Sequence, residues 1–230
     1  MNAFKKTFHT LYQRAYRLGR HVLFPLKDQY LLSLIKCGKT GLLIVHYVGE
    51  VPLLVLDILG LPEFFSFFQS VFKRNARSLQ NHELQMALHI FRDSFDFSKA
   101  RIDENSRIGT RGGKYVFVSF YYINCKGTLD LPVLIHELAH VLQFEQCGSP
   151  YAFRNMMAHI FPPTYDYGGL ERITGILRDP NSLHILNYEQ RADIFSDYCL
   201  LLSGRIPEWG IANSSNLGQY YEVISLLTRK

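Results

Sequence analysis

The chain predicts a helix-rich α+β fold, with a small antiparallel sheet packed on a central helix and an apolar helical region ahead of it. Three observations carry this. Apolar residues recur at helical steps over 1–24, 82–91, 132–146, 187–203 and 218–228. Segments Phe97–Asp103 and Tyr115–Tyr122 read as strands, the second dense in β-branched and aromatic residues. The 230 residues, 47% hydrophobic and 20% charged, suffice for one folded body with an extension and exclude disordered, collagen-like and rod-like chains.

The first element is a basic amphipathic helix over 1–24, with Phe4, Phe8, Leu11, Ala15, Leu18 and Val22 at steps of three and four. Such a pattern suits docking of the apolar stripe on the body of the protein, and equally suits contact with an anionic membrane surface or a partner. Residues 1–41 hold eight Lys/Arg against the single acid Asp28, a local charge of +7, and the remaining residues sum to −2. A near-neutral body with a basic head argues against a nucleic-acid-binding protein. The basic start leads into Val22–Leu26, too short for a signal-peptide core and broken by Pro25, so the chain is expected to be cytoplasmic as synthesised.

Residues 42–72 are the most apolar stretch, with 20 of 31 positions apolar. Glu50, Asp57 and Glu63 interrupt it, and Pro52 and Pro62 are expected to break a helix, so short buried helices are favoured over a membrane span. Membrane-surface contact through residues 1–72 stays open beside that reading. The basic hinge Lys73-Arg74-Asn75-Ala76-Arg77 divides the chain into an N-terminal region, 1–75, and a body, 76–230. Arg111-Gly112-Gly113 marks a turn before the second strand. Cys37, Cys125, Cys147 and Cys199 are scattered, without the CxxC spacing of a thiolate zinc site or the density of a disulfide framework.

Within the body, His136-Glu137-Leu138-Ala139-His140 is an HExxH motif. On a helix the two His share a face about 5–6 Å apart, so both imidazoles can reach one metal ion. Glu137 then projects beside the ion as a general base for a water activated by zinc. The surrounding Leu131–Phe144 is apolar on nearly every face, which predicts a buried helix. Pro132 suits its first turn and Asp130 stands just ahead as a cap.

A hydrolytic zinc site takes three protein ligands and keeps a position open. The best third ligand is Glu189, in Asn187-Tyr188-Glu189-Gln190-Arg191-Ala192-Asp193, with Asp193 four residues on to orient His136 from its other ring nitrogen. Asp197 extends that face and reads equally as a solvated or helix-pairing acid. For the transition-state partner, His159, Tyr165, Tyr167 and His184 lie between the two motif helices. Tyr167 and His184 are the favoured pair, though each of the four taken singly fits a structural role.

HExxH followed on a later helix by ExxxD resembles the gluzincins, the thermolysin-like metallopeptidases. The resemblance implies a zincin-like domain with His136, His140 and Glu189 as zinc ligands, Glu137 as base and Asp193 as supporting acid. Over 82–203 the segments Phe91–Asp103, Ile135–Gln143, Tyr165–Tyr167 and Asn187–Asp193 are also similar to the metallopeptidase domain associated with bacterial contractile injection systems and Vgr-related proteins. That likeness covers about half the chain. It implies a bacterial, secretion-linked setting, export by a specialised system and a secretion-apparatus partner. By analogy with such enzymes, Tyr115–Tyr122 serves as an edge for an extended peptide or protein substrate. The function expected is zinc-dependent peptide-bond hydrolysis, as a secretion-linked effector. The alternative is a catalytically silent structural or interaction protein of a secretion apparatus that retains the fold.

Overall fold

The computed structural model describes residues 3–23, 40–106 and 115–229. In chain order they form α1 (Ala3–Leu23), α2 (Thr40–Ile58), α3 (Leu61–Phe72), α4 (Asn81–Phe91), β1 (Arg101–Asp103), β2 (Phe117–Ser119), β3 (Tyr122–Asn124), α5 (Leu131–Cys147), α6 (Pro150–Ile160), α7 (Gly169–Arg178), α8 (Tyr188–Leu202) and α9 (Leu217–Leu227). The architecture is helix-rich α+β with a three-stranded sheet. The turn expected at Arg111-Gly112-Gly113, the Pro25 break and Cys37 lie outside the described residues.

Local sequence explains where the motif helices begin. Asp130 caps α5 by accepting from the Leu131 N–H at 3.0 Å, and Pro132 occupies the first turn, where a missing N–H costs nothing. Asn187 caps α8 by accepting from Gln190 N, and the Gln190 side chain reaches back to Asn187 N. Helices α5 and α8 pack extensively on each other. Between them and α4, α7 and α9 lies one core, built on Phe91, Ile135, Leu138, Leu142, Ile173, Phe195, Tyr220 and Val223. Phe91 and Phe195 stack at its centre, ring centroids 4.7 Å apart.

The sheet is mixed rather than antiparallel. Its order is β1-β3-β2, with β1 parallel and β2 antiparallel to β3. The expected strand Tyr115–Tyr122 is divided by a reversal at Phe120-Tyr121, where Phe120 has φ 58°. That hairpin turns β3 back along β2, so β1, on the far side of β3, runs parallel to it. The expected strand Phe97–Asp103 also shortens: Phe97–Lys99 is a single 3₁₀ turn capped by Asp96. Strand β2 is one of the two edge strands and packs on α5.

The N-terminal helices differ most from expectation. Helix α2 runs through Pro52 instead of breaking there, because its inward face is anchored along its length. His46, Glu50, Leu54 and Asp57 are buried, and the Arg154 guanidinium of α6 grips Glu50 at 2.7 and 2.8 Å. Ser149 N–H donates to Asp57 at 3.0 Å just beyond α5. Pro62 starts α3 after Gly60, which takes φ 82°, and so separates the two helices as expected. Helix α1 docks by its polar side: Arg14 donates to Asp57 O at 2.8 Å and to Glu63, and buried His21 faces Glu50. Leu11 and Val22, two residues of the apolar stripe, are exposed. The expectation of buried apolar helices is thus inverted, since burial here satisfies charged groups that would be costly to leave unpaired.

Candidate metal centre

Helix α5 presents His136 and His140 on one face, and the first turn of α8 brings Glu189 across to them. His136 Nε2 and His140 Nε2 are 3.1 Å apart, and Glu189 Oε2 lies 3.0 and 3.3 Å from them. Four ligands placed tetrahedrally at zinc–nitrogen and zinc–oxygen bond lengths are separated by about 3.3 Å. The triangle therefore has the edge lengths of a zinc site. All three ligand atoms belong to buried side chains or to the half-buried His136.

The protonation pattern follows from the neighbours. Gln143 Nε2 donates to the Tyr188 carbonyl at 2.9 Å, so its Oε1, 2.8 Å from His140 Nδ1, accepts the ring N–H. Asp193 Oδ1 stands 2.7 Å from His136 Nδ1 and takes that proton in the same way. With both rings neutral, both Nε2 lone pairs face Glu189 and three acceptors converge on one point; without a cation there, a proton on the imidazoles takes its place, in keeping with the raised pKa of His136 and His140. A cation satisfies that donor set, and soft imidazole nitrogens with one carboxylate suit zinc. The residues present fit the ion.

Without a cation, the same convergence of acceptors draws protons onto the rings. Burial works against charge on His136, yet the Asp193 and Glu189 carboxylates outweigh it and hold the ring well above its usual pKa. Burial likewise opposes charge on Glu189, and His140, His136 and His159 overcome it, so this carboxyl stays far below the usual range. Glu137 goes the other way: burial raises it despite the two imidazoles. Its Oε2 is buried and has no hydrogen-bond partner among the described residues.

His136, Glu137, His140, Glu189 and Asp193 are brought together, each in the geometry its position implied. Tyr167 and His184 are not. Tyr167 is 2% exposed, with its hydroxyl donating to Asp197 at 2.6 Å and meeting Tyr220 at 2.9 Å, so it is tied into the core. His184 lines a separate cavity with Arg17, Glu50, Arg154 and Tyr188. In their place the structure brings His159 and Tyr165. His159 Nε2 is 3.0 Å from Glu189 Oε1, and the Tyr165 ring lies 6.2 Å from that of His136 and 5.8 Å from that of His159. Burial and the nearby Glu189 and Asp193 carboxylates raise Tyr165, keeping its hydroxyl a neutral donor.

Two supporting residues went unread in the sequence. Gln143 had a signal, three residues after His140 on the same helix. Trp209 had none: it comes from the loop before α9, and its indole N–H donates to Asp193 Oδ2 at 2.6 Å. Asp197 is neither solvated nor beside the ligands. It accepts from Tyr167, from Glu208 N at 2.6 Å and from Trp209 N at 3.3 Å. Comparison with protein-family models, curated proteins and solved structures finds no match.

Proposed function

We propose that the chain is a zinc-dependent metallopeptidase with a zincin-like body. The observation that carries this reading is the triangle of His136, His140 and Glu189 acceptors at 3.0–3.3 Å, with a partnerless buried carboxylate oxygen of Glu137 on the same helix. A purely structural site has no use for Glu137, and that weighs against the silent alternative. His136, His140 and Glu189 would hold the ion, which when bound polarises a carbonyl and acidifies water.

The chain's own residues divide the remaining work. Glu137, made a stronger base by burial that raises its carboxyl, takes a proton as the carboxylate from the attacking water and returns it to the departing amine nitrogen as the C–N bond breaks. His159 holds Glu189 Oε1, leaving Oε2 directed at the ion. Tyr165 supplies a neutral hydroxyl for the negative charge that develops on the carbonyl oxygen. The edge strand β2 beside α5 suits pairing with an extended peptide or protein substrate.

Elemental analysis of purified protein together with cleavage of a quenched peptide library tests this. About one zinc per chain is expected. Glu137→Gln should keep the metal and lose hydrolysis; retained activity would sink the assignment. Full zinc stoichiometry in Glu189→Ala would refute the third ligand.

A further inference from the structure

The inward face of α2 is polar and its outward face is apolar, the reverse of a helix on a water-soluble body. At about 100° per residue, buried His46, Glu50, Leu54 and Asp57 centre on one side of the wheel. Exposed Ile44, Val45, Val48, Val55, Leu56 and Leu59 centre about 180° away. Helix α3 repeats the pattern. Buried Gln69 donates to Ser119 of β2 at 2.6 Å, while Phe64, Phe65, Phe67, Phe68, Val71 and Phe72 are exposed over an arc of about 160°. Helix α1 adds Leu11, Tyr12, Tyr16, Val22 and Leu23 on its outer side. Before Lys73, Leu54 is the one large aliphatic or aromatic side chain buried among those described.

Contiguous apolar surface on this scale has an occupant. Three features select lipid. Polar groups facing in and apolar groups facing out match hydrocarbon as the solvent, with charges kept in paired contacts such as Glu50–Arg154. The sequence charge of +7 over residues 1–41, less Arg14, which Glu63 takes up, together with exposed Arg74 past the end of α3, complements anionic headgroups. The apolar arc on α3, continued on α1 and α2, suits a fluid that conforms to it better than a flat protein face. No single described helix is long and apolar enough to cross a membrane, but Ile44–Ile58 and Leu61–Phe72 form an apolar pair bent by 69°. Fifteen helical residues rise about 22 Å, short of a hydrocarbon core of about 30 Å, so the bent pair dips in rather than crosses.

We infer that α1, α2 and α3 form an anchor embedded in one leaflet of an anionic lipid bilayer. The anchor joins the body without a linker at one contact in particular. Gly49 lies so close to Phe153 of α6 that a Cβ would meet the ring at 2.6 Å. His159 follows on that helix about 9 Å further along.

Vesicle flotation of the full chain tests the anchor, using phosphatidylcholine vesicles with phosphatidylserine in 0.1 M and 1 M salt. Insertion into hydrocarbon predicts that most of the wild-type chain floats at both, since screening removes headgroup attraction but not apolar burial. The double variant Val48→Asp, Phe67→Asp alters exposed positions, so its helical circular dichroism should match wild type, and its bound fraction in 1 M salt should fall at least tenfold. Release of the wild type in 1 M salt overturns the inference, as does a wild type soluble without detergent as monomer or oligomer and absent from vesicles. So does a folded variant that floats as well as wild type. The salt comparison rests on the wild type alone, and the outcome is independent of zinc content and hydrolysis.

Discussion

Gln143 Oε1 lies 2.8 Å from His140 Nδ1, and the amide that carries it is fixed by the Tyr188 carbonyl at 2.9 Å. One side chain therefore ties the ring of one candidate ligand to the first turn of the helix that supplies another, since Tyr188 precedes Glu189. Gln143→Leu removes both bonds and leaves the His140 ring free to turn. Zinc affinity should fall by about 10–100-fold, the usual cost of losing such support. Competition with a zinc chelator measures it.

Tyr165 and Tyr167 are two residues apart in sequence and opposite in consequence. Tyr165→Phe should lower kcat by about 10²–10³ with zinc retained and KM little changed, as expected for a donor used chiefly in the transition state. Tyr167→Phe should leave kcat near wild type. It strands part of the hydrogen bonding of buried Asp197 and Tyr220, and should lower stability by about 1–3 kcal/mol. Steady-state kinetics and thermal denaturation of the pair separate the roles.

Burial pushes the Asp197 carboxyl from 3.8 up to about 6, against the hydrogen bonds from Tyr167, Glu208 and Trp209. A raised folded-state pKa means that the native chain holds this proton more tightly than the unfolded chain. Its contribution is complete below pH 3.8 and is lost as pH rises through about 6. The span corresponds to at most about 3 kcal/mol. Asp197→Asn abolishes this linkage, so the excess of wild-type over variant Tm should grow as pH falls from 7 to 4. A pH-independent difference would count against the assignment.

Gly148 follows α5 with φ 75°, and a Cβ there would come within 2.2 Å of Asp57 Oδ2. Gly148→Ala meets both a left-handed backbone and a buried carboxylate held by Ser149. A loss of roughly 2 kcal/mol or more is expected, combining backbone strain with the displaced hydrogen bonds. Chemical denaturation gives the value, and Gly127→Ala, at φ 85° with open space around it, isolates the backbone part.

The cluster of His136, His140, Glu189 and Asp193 was legible because each pair sits four residues apart on one helix, where spacing alone sets the shared face. His136 with His140, and Glu189 with Asp193, needed no tertiary knowledge beyond the meeting of two helices. Tyr167 and His184 fall away from the cluster because neither lies on an α-helix whose period fixes its face. Position between the motif helices in sequence says nothing about which side of α8 a ring will occupy. The N-terminal helices show a different failure. Periodicity in Leu11, Ala15 and Val22 identifies an apolar face but not what that face meets. The inward direction was set by Arg14, His46, Glu50 and Asp57; Arg14 pairs with Glu63 of α3, and the partners of Glu50 and Asp57, Arg154 and Ser149, lie about a hundred residues away. The sheet was misread for a similar reason, since one reversal at Phe120 decides the direction of β3.

Trp209 is the chain's single tryptophan, and its indole N–H rests on the carboxylate that steadies His136. Intrinsic fluorescence excited selectively in the tryptophan band therefore comes from one ring, two hydrogen bonds removed from the candidate ligand His136. Under the proposed assignment, titration with zinc is expected to change the field at Asp193 and with it the indole's emission, without a label or an engineered probe. The unaltered polypeptide then carries its own optical test of the proposed centre.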